Sequence, residues 1–98
     1  MRHYTITDQF YYSNLNNHVV NANETSQVLC WYPASKTLYL RNDGPNDAFL
    51  AFDEDVATAE DFKLTAADGL VELRVQAEKI AVVCAATETA SVRISSNY

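Results

Sequence analysis

The sequence predicts an all-β fold: a single antiparallel β-sandwich, jelly-roll or immunoglobulin-like, of about eight strands with an irregular N-terminal arm. Short apolar runs of strand length recur from Leu38-Tyr39-Leu40 to the run Ala90 to Ile94. In the later runs apolar and polar residues alternate with period two, as a half-buried strand requires. Turn residues separate the runs, and no helix-length pattern lies between them.

Tyr4 to Tyr12 suits a strand, because Thr5-Ile6-Thr7 alternates and Phe10-Tyr11-Tyr12 is β-favouring, while Ser13-Asn14-Leu15-Asn16-Asn17 breaks it. His18-Val19-Val20 and Ser26 to Tyr32 follow, the latter expected to end at Pro33, which cannot donate to a central ladder. Leu38-Tyr39-Leu40 leads into Arg41-Asn42-Asp43-Gly44-Pro45-Asn46-Asp47, where Gly, Pro, Asn and Asp predict a turn joining two antiparallel strands. Ala48 to Phe52 is the next strand. From Asp53 to Asp61 the pattern is lost, which predicts an exposed loop crossing between sheets. Phe62-Lys63-Leu64, the turn Ala66-Ala67-Asp68-Gly69, and Leu70 to Val75 come next, with Val71, Leu73 and Val75 facing one way and Glu72 and Arg74 the other. Ile80 to Ala85 and Ala90 to Ile94 complete the set, the last with Ser91, Arg93 and Ser95 on its wet side.

A chain of 98 residues with 48% apolar content accommodates one domain with a modest core. Seven Lys and Arg against thirteen Asp and Glu give a formal charge of −6. The cations are scattered singly, so no basic stripe exists to replace the counterions of a phosphate backbone, and neither nucleic acid nor an anionic membrane is an expected partner. The polar start and the lack of a long apolar run predict neither secretion signal nor membrane span, hence synthesis in the cytosol. In that compartment Cys30 and Cys84, each inside an apolar run, read as buried free thiols.

No cofactor is expected, and no catalytic residue stands out. His3 and His18 are the only histidines, and no nucleophile or phosphate-cradling motif accompanies them, so the chain reads as a non-enzyme. Asp53, Asp55 and Asp61 are the candidates for calcium ligation. Their run lacks the alternating spacing and glycine of a calcium loop, so a solvated acidic loop is preferred and no metal is assigned. Aromatic residues point to contact instead. Neighbours on a strand face opposite ways, so only one of Trp31 and Tyr32 can join a platform, and Trp31 is assigned to the core. Tyr4, Phe10, Tyr11, Tyr12, Leu15 and Tyr98 are the candidate interface residues.

The ordered series Leu38 to Phe52 with its Asn42-Asp43-Gly44 turn, Asp61-Phe62-Lys63-Leu64, Leu70-Val71-Glu72-Leu73, the Ile80 strand and Ser91-Val92-Arg93-Ile94 resembles small virion proteins of tailed bacteriophages. The resemblance covers about residues 37 to 95. It implies a structural subunit of the head-decoration, fibre-base or tail-adaptor type, found in the virion and made in the host bacterial cytoplasm. Its partners would be copies of itself and other virion proteins, namely capsid, portal, tail or fibre. On that reading residues 1–25 are an attachment arm or edge segment and residues 26–98 the sandwich domain. The alternative is a carbohydrate- or host-surface-binding β-sandwich module, with calcium at the acidic loop.

Overall fold

The computed structural model describes residues 11–12 and 15–97. Among the described residues, nine strands make up two sheets: β1 (Tyr11–Tyr12), β2 (His18–Ala22), β3 (Gln27–Ser35), β4 (Thr37–Pro45), β5 (Ala48–Phe52), β6 (Phe62–Leu64), β7 (Leu70–Leu73), β8 (Ala77–Cys84) and β9 (Ala90–Asn97). The five-stranded sheet has the order β1-β3-β8-β5-β6, and the four-stranded sheet the order β2-β9-β4-β7. All pairings are antiparallel except that of β1 with β3.

Setting β1 aside, the eight remaining strands pair first with last and inward from there: β2 with β9, β3 with β8, β4 with β7, and β5 with β6. One long antiparallel ribbon has been rolled until β4 also meets β9 and β5 also meets β8. That is the jelly-roll order, so the sandwich expected from the sequence is present, with nine strands instead of eight. The core lies between the sheets. Trp31, Leu38, Leu40, Leu50, Leu64, Ile80, Val82, Val92 and Ile94 are all at most 1% exposed there. Burying a side chain of this kind contributes about 1.5–3 kcal/mol, which is what holds the layers together.

Several expected boundaries differ from those observed. Strand β3 continues past Pro33 to Ser35, because the chain bulges there: Cys30 is opposite Lys79, yet Ser35 is opposite Ala77. The bulge takes up a residue without an N–H, and the Ser35 hydroxyl donates to the Val75 and Ala77 carbonyls at 3.1 and 3.2 Å to close it. Residues 41–45, expected as a hairpin turn, belong to β4 and lead from one sheet to the other. The reason is Asn42. This buried side chain donates to the carbonyls of Asn46 and Leu64, each at 2.8 Å, and accepts the Gly44 N–H at 2.7 Å, so it binds the sheet-crossing corner to the end of β6. Gly44, at φ +85°, takes a conformation that a side chain would resist.

The loop after β5 is a loop as expected, but it connects β5 and β6 within one sheet and does not cross between sheets. The described part of the first 25 residues is built into the sandwich, with β1 and β2 as edge strands of the two sheets, and β2 is paired along its length with β9.

Candidate functional site: the open face of the four-stranded sheet

The outer faces of the two sheets differ in what lies over them. On the five-stranded sheet, Ala51, Ala81 and Val83 point away from the main core and are buried under Ala57 of the β5–β6 loop, with Phe49 alongside. Polar bonds pin the loop. The Ala57 N–H donates to Ser26 Oγ at 2.9 Å, the Asp53 carboxylate accepts the Glu78 N–H at 2.7 Å, and Asp61 accepts the Thr58 N–H at 2.7 Å. Lys79 Nζ lies 2.7 Å from Asp55.

The acidic residues considered for calcium therefore have structural work: Asp53 and Asp61 hold backbone N–H groups and Asp55 meets a lysine. Among the described residues, no three His, Cys, Asp or Glu side chains converge as a cation site needs.

Among the described residues, none covers the four-stranded sheet in this way. Its outward side chains come from alternate positions: Val19 and Asn21 on β2, Ser91, Arg93 and Ser95 on β9, Thr37, Tyr39, Arg41 and Asp43 on β4, and Leu70 and Glu72 on β7. Register places four of these in one row across the sheet. Val19 is opposite Arg93, Arg93 opposite Arg41, and Arg41 opposite Leu70. The row ends in exposed apolar side chains, Val19 at 45% and Leu70 at 67% exposure. Tyr39 stands in the next row between Ser95 and Glu72.

Two arginines directly opposite each other repel, and a sheet gains nothing from such a pair. Asp43 relieves the repulsion. Arg93 Nε donates to its Oδ2 at 2.6 Å, and Arg41 Nε lies 3.3 Å from its Oδ1. One carboxylate between two guanidinium groups leaves a net positive charge on the trio, and both arginines keep more than half of their side-chain surface in solvent. Chemically, the row offers planar donors to carboxylates between two apolar contacts.

Of the predicted interface residues, Tyr11, Tyr12 and Leu15 are described. Leu15 is 2% exposed and belongs to the core, its N–H donating to Ser96 Oγ at 2.8 Å, so it is a packing residue and not a surface anchor. Tyr11 and Tyr12 form β1, opposite Cys30 and Trp31. Tyr4, Phe10 and Tyr98 lie outside the described residues. Trp31 is fully buried and Tyr32 is 65% exposed, the division expected of neighbours on one strand. Both cysteines are free and buried, and burial pushes their thiols above the ordinary value.

The alternation puts Arg93 and Leu70 on the outward side, whereas Arg41 and Asp43 fall in the segment expected as a turn and Val19 in a short strand candidate with no assigned face. Their meeting in one row depends on register, and nothing in the sequence states register. A second feature is a shallow hollow of about 290 Å³ at the end of the sandwich, lined by Asn21, Asn23, Thr89 and Ser91 beside Gly44 and Pro45.

Comparison with known families, characterised proteins and solved structures returns no match for this chain.

Proposed function

We propose that the chain is a non-enzymatic structural subunit of a bacteriophage virion, assembling as a symmetric oligomer that decorates the capsid or connects particle components. The observation that carries the assembly part is the uncovered row Val19–Arg93–Arg41–Leu70 with Tyr39 beside it. Arg and Tyr are enriched where protein interfaces concentrate their binding energy, and exposed apolar side chains flanking them provide the area that water must leave. A rigid jelly roll supports the reading, because this architecture recurs in capsid domains and presents a flat, well-fixed face. The virion part rests on the ordered resemblance of residues 37 to 95 to small phage structural proteins. Repetition around an axis turns weak contacts into a lasting joint, so each interface can be small.

Light scattering across a wide concentration range tests assembly: a defined multimer is expected, and a monomer at every concentration overturns the reading. Labelled protein added to phage particles then tests the virion placement.

The hollow of Asn21, Asn23, Thr89 and Ser91 favours a second reading, a carbohydrate-binding module, since side-chain amides and hydroxyls match sugar hydroxyls. Lectin domains share the jelly-roll architecture. Glycan-array binding that is lost in N23A, with the protein monomeric, would replace the first reading by this one.

A further inference from the structure

We infer that the open face of the four-stranded sheet receives the β5–β6 loop of a second copy of this chain, so that subunits stack face to back. The inference rests on the proposed assembly and names the two surfaces that meet.

Charge identifies the occupant. In a chain of net charge −6, Arg41 and Arg93 are cross-strand neighbours on a solvent face and, among the described residues, share Asp43 as their carboxylate. The complementary concentration of acid is Asp53, Glu54, Asp55, Glu60 and Asp61 in the β5–β6 loop. Glu54 and Glu60 are exposed, and between them Val56 is 61% exposed at the tip. An apolar tip between carboxylates matches a guanidinium pair between Val19 and Leu70, in charge and in apolar contact alike. Arginine binds carboxylates through planar, directed hydrogen bonds, which gives such a contact orientation as well as attraction.

Position makes the contact heterologous. The loop lies on the outer side of the five-stranded sheet, where Ala57 packs on Ala51, Ala81 and Val83. The arginine row lies on the outer side of the other sheet, across the full thickness of the sandwich. A copy docked through its loop still presents its own arginine row, and the copy beneath still presents its loop. Such head-to-tail contacts close into a ring when the rotation permits and otherwise extend as a filament.

Two variants test this. R41E/R93E removes the receiving face and E54K/E60K removes the loop charge; both alter exposed side chains, and circular dichroism verifies folding. Where the wild type assembles, each variant alone is expected to be monomeric. Mixed together they are expected to assemble as the wild type does, because the intact loop of one variant meets the intact face of the other and the reversed face meets the reversed loop. The fourfold charge swap R41E/R93E/E54K/E60K is expected to regain assembly, and wild-type assembly should weaken towards about 1 M salt. If E54K/E60K assembles like the wild type, or the mixture stays monomeric, the face-to-back contact is wrong while the assembly reading stands. A monomeric wild type overturns both.

Discussion

The two outer faces of this sandwich have opposite solutions to the same problem. The five-stranded sheet carries Ala51, Ala81 and Val83 outward, apolar surface that water disfavours, and the chain covers it with its own loop. The four-stranded sheet carries Arg41, Asp43, Arg93, Ser91 and Ser95 outward, and no described residue covers it. Coverage follows composition. The lesson is that an apolar outer face was completed within the chain, whereas the open face combines polar side chains with two exposed apolar ends that the fold itself does not use.

The largest effect that sharpens this contrast lies within one strand. Leu40 faces inward and is fully buried, while its neighbour Tyr39 faces the open side. Leu40→Ala is expected to lower stability by about 2–5 kcal/mol, because it leaves a cavity between the sheets. Tyr39→Ala should cost less than about 1 kcal/mol in denaturant titrations of the same protein. Equal losses would mean that the open face is packed against something and the contrast is false. Next in size is Asn42→Ala. Three backbone partners lose their bonds at the buried corner, and an expected loss of about 2–3 kcal/mol should appear as a lower urea midpoint.

Asn42 also shows where the sequence stops being informative. The period-two pattern made the later strands legible, since Ala90, Val92 and Ile94 are buried and Arg93 exposed as alternation demands. It failed at Asn42 to Pro45, because turn-forming residues predict a reversal wherever they occur. Here a buried amide satisfies the backbone and lets β4 run on to Pro45 before the chain crosses to the other sheet. The β5–β6 loop was legible as a loop, but its role as a lid over Ala51 and Ala81 depends on a contact between Ala57 and residues distant in sequence. The arginine row is hidden for the same reason: Arg41 reads as part of a turn, and only the pairing of β2, β9, β4 and β7 brings the members together.

The covered face can be broken through its lid. Ala57→Asp places a carboxylate against Ala51 and Val83, a buried charge without a partner, and the loop is expected to lift. A loss of about 1–3 kcal/mol should come with faster hydrogen exchange on β5 and β8 and new binding of a hydrophobic dye. A smaller pH effect checks the burial. Desolvation raises the Cys30 thiol, with Lys79 lowering it and Asp55 raising it, and desolvation likewise raises Cys84. A thiol that holds its proton more tightly when folded contributes stability fully below the unfolded value of 9.0, and that contribution is lost as pH rises from there through the folded value. Stability measured as pH rises above about 9 should therefore decline, and a Cys30→Ala, Cys84→Ala double variant should decline less steeply over that range.

The smallest effect belongs to the open face. Arg93→Ala removes the 2.6 Å contact to Asp43, but that carboxylate keeps Arg41, and the repulsion between the two guanidinium groups disappears at the same time. These changes oppose each other at an exposed site, where an ion pair is worth about 0.2–1 kcal/mol before salt screens it. The monomer's melting temperature should shift by less than about 4 °C, in line with less than about 1 kcal/mol for a domain of this size. A loss several times larger would make the trio a clasp that the fold requires, and the open face would then be structural in the same sense as the covered one. A shift near zero leaves Arg93 with no part in holding the sandwich together, which is what a residue reserved for contact with another molecule should show.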